Sequence, residues 1–216
     1  MAVINVNPTR MELTNLKRKL TTARRGHHLL KDKRDELMRI FLSLVRENKA
    51  LRAKVEAAMH RVNRHMALAR SEMSDKELDV ALMLNMQEMH LEVAEKNVMS
   101  VRIPVFSPTL KTADDNDIYS YGLAFTAADL DTAIADMAGL MPDLLRLAEV
   151  EKSCQLMAAE IEKTRRRVNA LEHVMIPGYE ETIRYIAMKL DENERSTTTR
   201  LMKVKDMMLK EVHHYD

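Results

Sequence analysis

The side chains able to do chemistry in this sequence are few and poorly grouped. Of the eight histidines, His27 and His28, His60, His65, and His213 and His214 could in principle bind metal. A metal site needs several such ligands converging in a cleft with carboxylate support, and no pair here lies at i, i+4 with a carboxylate partner. Cys154 is the single cysteine, so neither an internal disulfide nor a multi-cysteine zinc site can form, and a reducing compartment is expected. Arg165, Arg166 and Arg167 could grip phosphate, but three consecutive residues on a helix cannot all point one way. The four glycines, Gly26, Gly122, Gly139 and Gly178, lie too far apart for any Gly-rich phosphate loop or nucleophile elbow. Met83, Met86 and Met89 could form an adaptable surface for a partner, or ordinary core. No catalytic, cofactor-binding or metal-binding residue is expected, and no cofactor.

The elements that carry these residues are legible from composition. With 216 residues, 46% hydrophobic and 31% charged, the chain holds eighteen Met but only four Gly, five Pro and no Trp. So few turn residues cannot service the many connections of a sandwich, barrel or doubly wound sheet. Ala, Leu, Met, Glu, Lys and Arg favour long helices, so the fold class is all-α dominated. No secretory leader and no apolar run of membrane-spanning length is read, so a soluble, cytoplasmic chain without direct membrane insertion is expected.

Charge is segregated although the net is +1. Residues 1–70 carry 17 basic against 6 acidic side chains, residues 71–151 carry 5 against 16, and the rest is nearly balanced. The basic arm could be a solvated helix, or could face nucleic acid, a membrane surface or an acidic protein cavity.

Both arms follow a heptad. Alternate steps of three and four from Leu13 visit Leu16, Leu20, Ala23, His27, Leu30, Arg34, Leu37, Phe41, Leu44, Asn48, Leu51, Val55, Ala58, Val62, His65 and Ala69. Such persistence marks a helix packed along its length on another with left-handed supercoiling. Residues 13 to 69 would span roughly 85 Å at the rise of an α-helix. The C-terminal arm repeats the pattern through Leu147, Val150, Cys154, Met157, Ile161, Thr164, Val168, Leu171 and Met175. It resumes at Ile183, Ala187, Leu190, Glu194, Thr197, Leu201, Val204 and Met208. The gap from 175 to 183 is one residue longer than a heptad and falls at Ile176-Pro177-Gly178, where a kink or register slip is expected. The arms should pair as a long antiparallel two-helix coiled coil. Cys154, in a seam slot, should be a small apolar filler.

The middle reads as a small head. Ser74-x-x-Glu77 is a capping box before Leu78, Leu82, Met86 and Met89, predicting an acidic helix to about Asn97. Val101, Ile103 and Val105 form one alternating run and Tyr119, Tyr121, Leu123 and Phe125 another, predicting a β-hairpin across the acidic loop 114–117. Thr126-x-x-Asp129 opens a helix, and Met141-Pro142 is expected to start the long return helix. The divisions are therefore 1–70 for the N-terminal helix, 71–142 for the head and 143–216 for the C-terminal helix.

Two blocks carry a family likeness. Asn7-Pro8-Thr9-Arg10, Leu13, Leu16-Lys17, Leu20, Ala23, Gly26 and Leu29 through Leu37 form the first. Thr164 through His173 with Ile176-Pro177 forms the second. Together with the order long helix, hairpin-bearing middle, long helix, they resemble the D subunit of the V-type and archaeal-type (V/A) rotary ATPases over nearly the whole chain.

That resemblance implies a non-catalytic central rotor shaft. It implies as partners a catalytic hexamer of alternating A and B subunits, the small F subunit and a funnel-like subunit on the membrane ring. It also implies torque passed between ATP hydrolysis or synthesis and ion translocation, on the cytoplasmic side, peripheral to the membrane. The hairpin is associated in that family with stimulating hydrolysis. A shaft that slides inside a collar suits long-range attraction, so Arg10, Lys17, Arg24, Arg25, Lys31, Arg34, Arg165 and Arg166 are the expected bearing contacts. Heptads alone would equally suit a coiled-coil tether without an ATPase partner. A nucleic-acid-binding rod is disfavoured, because no aromatics interleave with the basic residues.

Overall fold

The structure, a computed structural model, describes residues 6–84, 86–111, 118–122 and 126–212. Its elements are α1 (Arg10–Glu72), α2 (Asp75–Leu82), β1 (Met89–Val98), β2 (Val101–Leu110), α3 (Ala128–Ala170), a π turn (Leu171–Met175) and α4 (Ile176–Val212). They form two compact units, one of Met1–Asp35 with Glu162–Asp216 and one of Glu36–Ile161.

All seventeen heptad positions named above for the N-terminal arm, from Leu13 to Ala69, are buried or half-buried in α1, while most residues between them are exposed. The stripe is inward because each apolar slot removes surface from water on the same side of the helix.

In the unit containing the termini, α1 runs antiparallel to the end of α3 and to α4. Arg10 pairs with Glu194, Arg24 with Glu180 at 2.6 Å, and His27 with Glu172 at 3.3 Å, one number rising as the other falls. Leu16, Thr164, Val168, Thr182 and Ile186 are its buried side chains. The expected interruption before Pro177 is the π turn, where the Ile176 N–H donates to the Leu171 carbonyl five residues back. Pro177 offers no N–H to the preceding turn, which favours the wider loop. Beyond it Thr182 and Ile186 are buried. Ile183, Ala187 and Leu190 are half-buried beside them. The later slots Glu194, Thr197, Leu201, Val204 and Met208 are exposed, as is every residue from Asp191 to Leu209.

In the unit of Glu36–Ile161, α1 and α3 again run antiparallel. Glu47 pairs with Arg146 at 2.7 Å, Lys54 with Asp143 at 2.7 Å and His65 with Asp129 at 3.5 Å. One core cluster joins Ala69, Met73, Leu78, Ala81 and Leu130. The other joins Leu37, Met157 and Ile161 to Val101 of the hairpin.

Three sequence expectations are corrected here. The acidic helix ends at Leu82, and the segment expected to continue it is strand β1. Its tie is a two-residue turn: Met99 and Ser100 take φ of 51° and 74°, and the Ser100 N–H donates to Asn97 Oδ1 at 2.9 Å. Positive φ at both central residues fits the right-handed twist of the strands, but Met-Ser lacks the usual Asn-Gly signal. Val101, Ile103 and Val105 do form a strand, yet its partner is β1, with Val98 opposite Val101 and Met89 opposite Leu110. Tyr119 and Tyr121 lie outside any strand, and Leu123 and Phe125 lie outside the described residues. Finally, α3 begins at Ala128, with Pro142 inside it. Pro142 and Ala138, whose carbonyl loses its donor, are both exposed, so water can replace the missing bond.

Candidate functional site: a cationic helix face and an apolar head

The expected bearing residues fall into two groups. Arg10, Lys17, Arg24 and Lys31 recur every seven residues, so they occupy one heptad position on α1. This regularity was open to sequence reading, which singled them out by charge alone. All four are exposed. Arg10 and Arg24 spend their guanidinium groups on Glu194 and Glu180 of α4. Arg34 is half-buried and bound to Asp35 at 2.7 Å, and Arg166 is bound to Glu162. Lys17, Arg25, Lys31 and Arg165 are exposed and, among the described residues, carry no carboxylate partner. Two cations thus link α1 to α4, two are bound within their own helices, and four present unspent charge.

The methionines resolve differently from ordinary core. Met83 is 81% exposed and Met86 64%, while Met89 opens β1. With Val80 and Leu84 they cap one end of the larger unit with apolar surface. Beside them Lys76, Val80, Ala81, Leu84 and Tyr121 line an open pocket of about 560 Å³. Helix α2 is held there by its capping box, the Ser74 N–H donating to a Glu77 carboxylate oxygen at 2.9 Å. Tyr121 packs against the Ala69–Leu130 cluster and donates its hydroxyl to Asp131 at 2.6 Å. Burial first, and the Asp131 carboxylate second, push its phenol well above the ordinary range. Tyr119 meets Tyr121 edge-to-face, the ring centroids 6.4 Å apart. Tyr121 closes a helical core, and neither tyrosine is a strand residue.

Cys154 is half-buried between carboxylates. Burial, then the charges of Glu47 and Glu151, raise its thiol above the ordinary value, which disfavours the thiolate and suits an inert filler. Among the described residues no cluster of His, Cys, Asp or Glu could hold a metal ion, and no helix is long and apolar enough to cross a membrane.

An antiparallel helix pair with an exposed cationic stripe, a hairpin and an apolar end has the build of a helical interaction protein. Its relatives are specific. The family of the ATP synthase D subunit matches residues 12–206. The V-type ATP synthase D subunit of Acetivibrio thermocellus is 57% identical over 215 residues, covering 100% of this chain and 97% of the relative. The protein of the same name from Clostridioides difficile is 59% identical, covering 97% and 94%. That from Thermoanaerobacter is 52% identical, covering 97% and 100%. The chain belongs to the family of ATP synthase D subunits.

Proposed function

We propose that this chain is the central-stalk rotor subunit of a V/A-type rotary ATPase. It carries torque between nucleotide chemistry in a catalytic hexamer of A and B subunits and ion translocation by a membrane ring. The observation that carries this is the near end-to-end match to relatives named as D subunits of V-type ATP synthase. The chain is a part of the complex without chemistry of its own, peripheral to the membrane on the cytoplasmic side. The small F subunit and the funnel-like subunit are its further partners, and Met83, Met86 and Met89 are the surface offered to one of them.

Physical features support the reading. Two packed helices resist bending better than one, because bending disturbs packing along the whole seam. An asymmetric shaft makes different contacts with each surrounding interface and so biases their conformational equilibria differently. Lys17, Arg25, Lys31 and Arg165 bear the sliding contact, because long-range attraction holds without interlocking side chains. Arg10 and Arg24 support it by linking the helices that carry it, and Arg34 and Arg166 are bound within their own helices.

The test is gel filtration of the full chain with purified hexamer and the F subunit, followed by ATPase assay of the peak. Coelution of one chain per hexamer with altered turnover supports the shaft. A self-associated chain eluting alone would return a coiled-coil tether to first place.

A further inference from the structure

The two edges of the hairpin are treated very differently. The Lys111 N–H donates to the Glu88 carbonyl at 2.9 Å, so that facing pair is hydrogen-bonded. Facing pairs alternate in an antiparallel ladder. His90, Glu92, Ala94, Lys96 and Val98 therefore bond across to β2, and Met89, Leu91, Val93, Glu95 and Asn97 turn their N–H and C=O groups outward. On β2 the outward positions are Arg102, Pro104, Phe106, Pro108 and Leu110. Two of these are prolines with no N–H to give, and the Phe106 N–H is taken by a Glu149 carboxylate oxygen at 3.5 Å. Prolines at such positions are how sheets blunt an edge against further pairing. β1 has no proline, and all but its last residue are exposed.

We propose that the outer edge of β1 receives an added strand from a neighbouring subunit of the assembled complex. The occupant is an extended segment, apolar at alternate positions with a Lys or Arg between them. Leu91 and Val93 point to the face opposite the buried Val101, are 36% and 59% exposed, and offer an apolar flank to the incoming strand. Glu92, between them on the other face, has no partner among the described residues, whereas Glu88 is bound to Lys111 and Glu95 to Arg102. A basic residue beside Glu92 completes the pairing, and main-chain hydrogen bonds supply the rest. A second copy of this chain would set this acidic edge against itself. The inference rests on the chain working inside a rotary complex.

Backbone amide exchange on the full chain, free and in the purified complex, tests it. The Leu91 and Val93 amides should exchange at least tenfold more slowly in the complex. Val93→Pro deletes an outward N–H as Pro104 and Pro108 already do, so the hairpin should persist in NMR shifts while the chain binds the complex at least tenfold more weakly. Equal exchange in both states overturns the proposal, as does full binding by the Val93→Pro chain. Protection in the free chain that grows with its concentration means self-pairing and also overturns it. A chain that never enters the complex overturns this proposal and the shaft together, whereas one that enters with unprotected β1 amides overturns strand addition alone.

Discussion

The two compact units of this molecule hold together by different means. In the unit of Glu36–Ile161 both core clusters draw on α1 together with later elements, and Leu37, Leu130 and Met157 are sealed from water. In the unit of the termini the only buried hydrophobic side chains among the described residues are Leu16, Val168 and Ile186, with Thr164 and Thr182 among them. Its Arg10–Glu194 and Arg24–Glu180 pairs across the helices are exposed, and such pairs are worth about 0–1 kcal/mol each. Burial of apolar area dominates folding, so the first unit draws more of its stability from its own core than the second, which leaves more of its surface for surroundings to cover. Under the shaft reading, the surrounding is the hexamer.

The sharpest way to break this contrast is amide exchange on the free chain. Amides of α4 beyond Asp191 should exchange on the order of a hundredfold faster than those around Leu37, since local opening there exposes little new apolar surface. Equal protection would abolish the distinction. Leu37→Ala should cost roughly 3 kcal/mol in chemical denaturation, because it empties a fully buried site; a loss below about 1 kcal/mol would mean the core there is loose. Replacing Lys17, Arg25, Lys31 and Arg165 together with Gln should leave the free chain's melting unchanged. Hexamer affinity should fall about tenfold, with a weaker dependence on salt than the native chain shows. Unchanged affinity would remove these residues from the bearing.

Tyr121→Phe should cost about 1 kcal/mol at neutral pH through loss of the bond to Asp131. Because the folded phenol titrates higher than the unfolded one, the native chain keeps this stability below the unfolded pKa of about 10 and loses it as pH rises beyond that. The gap between native and Phe chains should therefore close in alkali. A constant gap across pH 9 to 11 would contradict that direction. Smallest of all, Arg24→Gln should change stability by no more than about 0.5 kcal/mol, since Arg24 and Glu180 are both well exposed.

The helical arms were readable because burial repeats in a pattern that composition cannot hide: every seam slot from Leu13 to Ala69 is turned inward. The head was not. Leu78, Leu82, Met86 and Met89 keep helical spacing, but the helix ends at Leu82 and Met89–Val98 pairs with β2. A turn built on Met99 and Ser100 carries no local warning, so tertiary pairing overrode the apparent period. The aromatic alternation at Tyr119 and Tyr121 misled for a related reason, since a large residue such as Tyr121 can close a helical core as readily as line a strand. Of the site, charge marked the cationic stripe, but which cations are spent on Glu180, Glu194, Glu162 and Asp35 depends on neighbours distant in space or on side-chain choice.

The π turn carries one residue more than an α-turn would, and each residue of an α-helix advances about 100° around its axis. The wide turn takes up that surplus in one place, so α4 resumes with its faces aligned to α3: deleting one amino acid between Leu171 and Met175 would let an ordinary α-turn close and leave every later side chain facing as it does now, whereas adding one to a regular turn elsewhere would swing all that follows by about a quarter-turn.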